Sequence, residues 1–249
     1  MEGWTVRTHP AIAEIDAAAW DRLAMGPDAA TPANPFVSHA FLASLEDAGC
    51  VGGRTGWTPA HQGVRDGAGR LVAAAPCYIK SHSQGEYVFD HAWAEALERA
   101  GGRYYPKLQV AAPFTPVTGP RLLGATTPAQ VAALHQGFEA LRTRIGASST
   151  HVTFLPEAEA RALAPHGYLI RNDRQFHWLN EGYATFEDFL AALSARKRKT
   201  IRRERKDALS AGIRIEWLTG PAITESHWDA FFAFYMDTGS RKWGRPYLN

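Results

Sequence analysis

The sequence predicts an α/β protein, with a mixed, twisted sheet flanked by helices. Three observations carry that reading. Short apolar segments of strand type alternate with helical patterns along most of the chain. Two of them, TPAHQGVRD and RLVAAAPCYIKSHS, are joined by DGAG, whose Asp-Gly and Gly supply the positive φ angles of a tight reversal. The segment HVTFLPEAEARALAPHGYLIRNDRQFHWLN reads strand, short helix, strand, an order that implies a right-handed crossover between parallel or mixed-sheet neighbours. With 249 residues, 45% of them hydrophobic, the chain is large enough to bury a substantial core.

The opening WTVRTH reads as a strand, and Asp16 is placed to cap a helix AAAWDRLA. A turn-rich MGPDAATPANP follows. From Pro35 a second helix, PFVSHAFLASLEDAG, sets Phe36, Ala40, Leu42 and Leu45 toward one side and stops at Gly49. After the hairpin, YVFDHAWAEALERAGG is partly helical. PKLQVAAPFTPVTG holds three prolines and can be a strand only in its first half. The helix beginning at Pro128 repeats Val131, Leu134, Phe138, Leu141 and Ile145 at three- and four-residue spacing. HVTFLPEAEARALAPHGYLIRNDRQFHWLN then reads strand, short helix ending at His166-Gly167, strand. A short helix with Phe186, Phe189, Leu190 and Leu193 precedes Ser194, the N-cap of a basic helix. In that helix 197, 201, 204 and 208 make one stripe with Ile201 and Ala208, so the helix lies on the surface with its arginines outward. IRIEWLTG reads as a strand, and ESHWDAFFAFYMDTGSRKWG as a helix whose aromatic face, Trp228, Phe231, Phe232 and Tyr235, must pack on something.

Net charge is +2, but eight of the eleven residues from Arg196 to Lys206 are basic, which leaves −5 for the rest. A general polyanion-coating role is disfavoured; attraction is focused on one element. Cys50 and Cys77 are far apart and the histidines are scattered, so neither a disulfide framework nor a metal site is indicated. No serine sits in a GxSxG elbow. The N-terminus lacks the basic-then-apolar order of a signal peptide, and no apolar run reaches the ~20 residues of a membrane span. A soluble cytoplasmic protein is expected.

The segments NPFVSHAFLASLE, DHAWAEAL, YYPKLQVAAPFTPVTGPRLL, DRQFHWLN and GSRKWGRPYL resemble the bacterial GNAT-like family of peptidoglycan biosynthesis or recognition, related to the FemAB aminoacyltransferases, across essentially the whole chain. The resemblance implies the acyltransferase fold called GNAT, in two tandem copies. Residues 1–182 would be the first domain, 183–212 a basic helical segment, and 213–249 the start of a truncated second domain. It implies an N-acyltransferase or aminoacyltransferase acting on an amine of a cell-wall-related or small substrate. The alternative is a non-catalytic module that recognises a peptidoglycan precursor or anionic head group.

Candidate site residues follow from local chemistry. Asp90 and His91 can move a proton, the carboxylate orienting the imidazole; Asp90 can equally be a helix cap. Tyr104, Tyr105 and Lys107 can contact a sugar or a carboxylate-bearing peptide, and the tyrosines can equally be core. On the substrate reading, replacing Lys107 with Ala weakens binding without unfolding. Arg121 and Gly124 stand where GNAT proteins hold the pyrophosphate of acyl-CoA, between a strand and a helix start, although Thr126 departs from the pattern and an ordinary loop fits as well. Acetyl-CoA or another acyl-CoA is the expected donor, charged tRNA the less favoured one, and no metal is called for. Arg196, Lys197, Arg198, Arg202 and Arg203 are candidates for contact with a phosphate-bearing substrate or peripherally with an anionic membrane surface, or with RNA, against a solvated or domain-junction face. No aromatic lies between Ser194 and Gly212, which disfavours a reader of single-stranded bases.

Overall fold

A computed structural model describes residues 3–25, 34–242 and 246–249. Most of the turn-rich stretch after the first helix, 26–33, and part of the GSRKWGRPYL segment, 243–245, lie outside the described residues. The chain divides into two units, residues 1–170 with 246–249, and residues 171–245.

The first unit carries all the strands found among the described residues. β1 (Thr5–His9) is followed by α1 (Ala17–Ala24), whose N-cap Asp16 accepts the Ala19 N–H at 2.8 Å, and by α2 (His39–Asp47). The expected single helix from Pro35 is two pieces. Asn34 and Ser38 each cap their own turn, giving a 3₁₀ turn over Pro35–Val37 and then α2. The break rotates the pattern, so Val37, Leu42 and Leu45 are buried while Ala40 is exposed.

β2 (Trp57–Pro59), β3 (His61–Arg65), β4 (Leu71–Ala75) and β5 (Cys77–Lys80) make the expected hairpin. Asp66 ties its turn by accepting the Ala68 and Arg70 N–H groups at 3.0 and 2.9 Å. The register shifts by one residue between Val64 and Arg65, near the turn, but runs on from β3–β4 into β2–β5, since Gln62 opposes Ala75 and Pro59 opposes Tyr78, with Ala60 N–H donating to the Cys77 carbonyl at 2.8 Å between them. Pro76, opposite His61, has no N–H to give, and the ladder therefore divides into a three-stranded sheet β1-β3-β4 and a four-stranded sheet headed by β2-β5.

α3 (His91–Arg99) and β6 (Lys107–Val110) come next; β6 ends before the prolines, as expected. α4 (Pro128–Ile145) opens with a capping box between Thr127 and Gln130 and crosses over to β7 (Thr150–Val152), which pairs parallel to β6. The four-stranded sheet is thus mixed, in the order β2-β5-β6-β7. Val131, Leu134, Phe138 and Leu141 of α4 join Ala60, Val64, Cys77, Leu108 and Val110 in the main core. α5 (Glu157–Leu163) ends in a 3₁₀ turn over Ala164–His166 closed by Gly167 at φ 85°.

In the second unit the strands expected at YLIRNDRQFHWLN and IRIEWLTG do not form. Extended backbone becomes a strand only when a neighbour takes up its N–H and C=O groups, and no described segment pairs with either, so Phe176, Trp178, Leu179, Ile215 and Trp217 stay exposed. α6 (Phe186–Ala192), α7 (Ala195–Leu209) and α8 (Glu225–Ser240) form as expected, the first two capped by Thr185 and Ser194. The aromatic face of α8, expected to pack, leaves Trp228, Phe231 and Phe232 exposed.

Candidate functional site

Strand alternation assigns the two faces of the four-stranded sheet different chemistry. Cys77, Ile79, Leu108 and Val110 point to α4. Their alternates stand directly opposite one another across the strands: Trp57 with Lys80, Lys80 with Lys107, Pro59 with Tyr78, Tyr78 with Gln109. This second face is polar and aromatic, and it is buried.

Lys107 is its centre. Its Nζ donates to Ser83 Oγ at 2.8 Å, Glu86 Oε2 at 2.8 Å and Asp90 Oδ2 at 2.6 Å. The Tyr104 hydroxyl donates to the same Asp90 oxygen at 2.7 Å, and Tyr105 bonds Ser83 at 2.8 Å. Lys80 Nζ lies 3.5 Å over the Trp57 ring, 3.3 Å from the Gln84 carbonyl and 3.9 Å from Glu86 Oε1. Two lysine amines and two carboxyl groups are therefore enclosed together.

Their proton affinities differ because their partners do. Burial favours the neutral form of Asp90, but hydrogen bonds from Lys107, Ser83 and Tyr104 outweigh it and hold the carboxyl at about 2. Burial raises Glu86, against the pull of Lys107 and Lys80. Lys80 has no carboxylate in full hydrogen-bond contact, and burial lowers it to about 7, opposed by Glu86 and reinforced by Lys107.

The structure thus brings Asp90, Tyr104, Tyr105 and Lys107 into one network, in the interior. Asp90 occupies the N-cap position of α3 but makes no side-chain cap bond, because its carboxylate turns inward to Lys107. His91, the next residue, is exposed and outside the network. Lys107 is fully buried and holds two carboxylates, so the expectation that it can be truncated without structural cost gives way.

Arg121 and Gly124 do not form a phosphate cradle. Arg121 is fully buried, and its guanidinium donates to the carbonyls of Val117, Gly119, Pro120 and Thr153 at 2.8–3.0 Å. Its pKa falls to about 10 through burial. At the start of α4 the N–H groups of Thr126 and Thr127 are taken by Gln130 Oε1 at 3.1 and 3.0 Å, and Gln130 Nε2 ties the loop to the Val72 carbonyl at 2.9 Å. The loop thus supplies an acceptor of its own for these N–H groups.

On α7 the candidates divide between two sides. Arg198 donates to the carbonyls of Leu190, Ala191 and Leu193, capping α6; Arg202 pairs with Glu187; Arg205 lies 4.2 Å over the Phe186 ring. These arginines reach to α6, Arg198 half-buried and Arg202 and Arg205 still exposed, which corrects the expectation that all simply project outward. The stripe read at 197, 201, 204 and 208 sits to one side of this contact. Arg196, Lys197 and Arg203 are exposed.

A cleft of about 490 Å³ opens in the first unit, lined by Pro10, Glu46, Gly52, Gly53, Arg54 and Thr58 among others. Gly52 and Gly53, at φ 90° and 52°, let the loop turn away from β2. Glu46, at the end of α2, accepts the Ile12 N–H and, at 2.8 Å, His61 Nε2 from the sheet's polar face. His61 is fully buried, between the edges of Trp20 and Tyr78. This carboxylate–imidazole pair was not found in the sequence. Its members lie on different elements 15 residues apart, and the one available signal is that His61 shares strand parity with Trp57 and Pro59.

Among the described residues no group of three or more His, Cys, Asp or Glu could hold a metal ion, and no helix is long and apolar enough to cross a membrane. The family model of FemAB-like proteins, described as peptidoglycan biosynthesis/recognition, matches residues 11–249. No curated protein and no solved structure matches the chain.

Proposed function

The chain belongs to the FemAB-like family of peptidoglycan biosynthesis/recognition, and from that premise we propose that its first unit recognises a peptidoglycan precursor in the cleft lined by Glu46 and Arg54. The observation that carries this is the pairing of a carboxylate and an exposed guanidinium on one concave site of about 490 Å³, within the size of small-ligand sites. A stem peptide offers the complement, a free amine for Glu46 and a carboxylate for Arg54. The fixed side chain of Glu46 supports a preformed site: His61 and the Ile12 N–H hold its carboxylate in place. We read the fold as GNAT-like on the strength of the parallel β6–β7 pair joined through α4.

Recognition is favoured over acyl-CoA-dependent transfer because the loop at Arg121 and Gly124 spends its donors on the chain itself. Transfer to an amine from another acyl donor, charged tRNA included, is the second reading. The observation in its favour is the Glu46–His61 pair, which can take a proton from an ammonium bound in the cleft.

Titration calorimetry of the full chain with a muramoyl pentapeptide tests the first reading. Binding that weakens tenfold or more in Arg54→Ala and in Glu46→Gln supports it; binding unaffected by both variants removes the cleft. Incubation with labelled acetyl-CoA and, separately, with charged tRNA separates the readings, since label transferred to the peptide selects turnover.

A further inference from the structure

The engagement of Arg198, Arg202 and Arg205 with α6 isolates a second basic row on α7. At 100° per residue, Arg196, Lys199, Arg203 and Lys206 fall within an arc of about 80° on one flank of the helix, centred roughly 110° round from that contact. Their spacing of three, four and three residues puts them in one straight row about 15 Å long. All four are exposed, and no carboxylate lies within ion-pair distance of any of them among the described residues.

This row works against the helix that carries it. Neighbouring like charges at i,i+3 and i,i+4 repel. The first turn of α7 has no acidic residue and three basic ones at the positive end of the helix dipole. A partner that neutralises the row relieves the repulsion along it and, through Arg196, part of the dipole penalty.

We propose that the row Arg196, Lys199, Arg203 and Lys206 docks on the surface of an anionic lipid bilayer. A straight row of long flexible cations meets a plane of lipid phosphates along its whole length. A reader of single-stranded RNA stacks bases on aromatic platforms, and α7 has none from Ser194 to Gly212. The row has no apolar flank, so the contact is electrostatic and does not insert. The rest of the chain outside Arg196–Lys206 sums to −5, so an anionic surface attracts this element and repels the remainder.

Co-sedimentation of the full chain with vesicles tests the assignment. Vesicles of phosphatidylcholine with 30% phosphatidylglycerol are compared with phosphatidylcholine alone. Four cations at a lipid surface correspond to roughly a hundred- to a thousandfold in partitioning, so the quadruple variant Arg196→Gln, Lys199→Gln, Arg203→Gln, Lys206→Gln falls to the level of neutral vesicles. The variant Arg22→Gln, Arg99→Gln, Arg103→Gln, Arg144→Gln removes the same charge from exposed positions elsewhere and keeps its binding. Arg196→Lys with Arg203→Lys also keeps it, which separates charge from helix integrity. At 0.5 M NaCl the wild-type contact is lost. Equal binding of the wild type to both vesicle types, or equal loss in the two quadruple variants, overturns the proposal. So does retention of an RNA oligonucleotide without vesicle binding.

Discussion

Lys80 and Lys107 stand directly opposite each other on β5 and β6, two buried ammonium groups sharing the carboxylate of Glu86, at 3.9 and 2.8 Å. Directly opposed like charges destabilise a sheet, and here the repulsion is balanced by Glu86 and Asp90 within the same enclosure. The pair is unequal: Lys107 has the close contacts and Lys80 the aromatic ring.

Lys107→Met leaves Glu86 and Asp90 buried without their shared cation. Breaking a buried pair in this way costs about 3–5 kcal/mol. Urea denaturation should show a correspondingly lower midpoint; a midpoint unchanged within error would mean that water reaches the carboxylates.

Lys80 gives stability a pH dependence of definite sign. Folded, its pKa is about 7, against 10.5 for an unperturbed lysine. Between those values the unfolded chain binds more protons than the folded one, so stability rises with pH across the window and the burial penalty is fully present below pH 7. Urea midpoints taken from pH 7 to 10 should climb in the wild type, and Lys80→Met should flatten that part of the curve. An equal slope in the variant would assign the effect to another group.

Arg54→Ala separates binding from folding. Arg54 is an exposed residue lining the cleft, so its loss should change stability by less than about 0.5 kcal/mol. A hydrogen bond to a charged group is worth about 1.5–3 kcal/mol, so affinity for a muramoyl pentapeptide should fall about tenfold or more. Equal affinity in calorimetry would take Arg54 out of the site.

Gly137→Ala sets two effects of α4 against each other. Alanine in place of glycine gains about 1 kcal/mol of helix propensity. The added Cβ, however, would meet Val6 Cγ1 at 2.6 Å and Gln62 Oε1 at 2.9 Å, and overpacking of this kind costs about 1–3 kcal/mol. A net loss of about 1 kcal/mol is expected by urea denaturation; a net gain would mean that β1 yields to the helix.

Elements that rest on local chemistry were legible. Asp16 and Ser194 cap the helices expected of them, and Asp66 closes the expected hairpin turn. The strands expected after Gly167 and at Ile213 were not, because a strand depends on a partner that an apolar run cannot name. The residues around Tyr104 to Lys107 were singled out for their chemistry, and they do converge with Asp90. That they converge inward rather than on a surface is a matter of what Ser83 and Glu86 cover, and those come from a loop more than twenty residues earlier.

The sequence by itself determined the family, the caps, the hairpin and the amphipathic stripe of α4, since these depend on residues a few positions apart. Only the tertiary structure decided which charges lie inside: Lys107 with its two carboxylates, Glu46 joined to His61, Arg121 spent on backbone carbonyls, and α7 divided into a side that grips α6 and a side that faces out. Each depends on groups on different elements meeting at 2.6–3.4 Å, where desolvation and pairing set the charge state. Nothing in local spacing encodes which partner arrives.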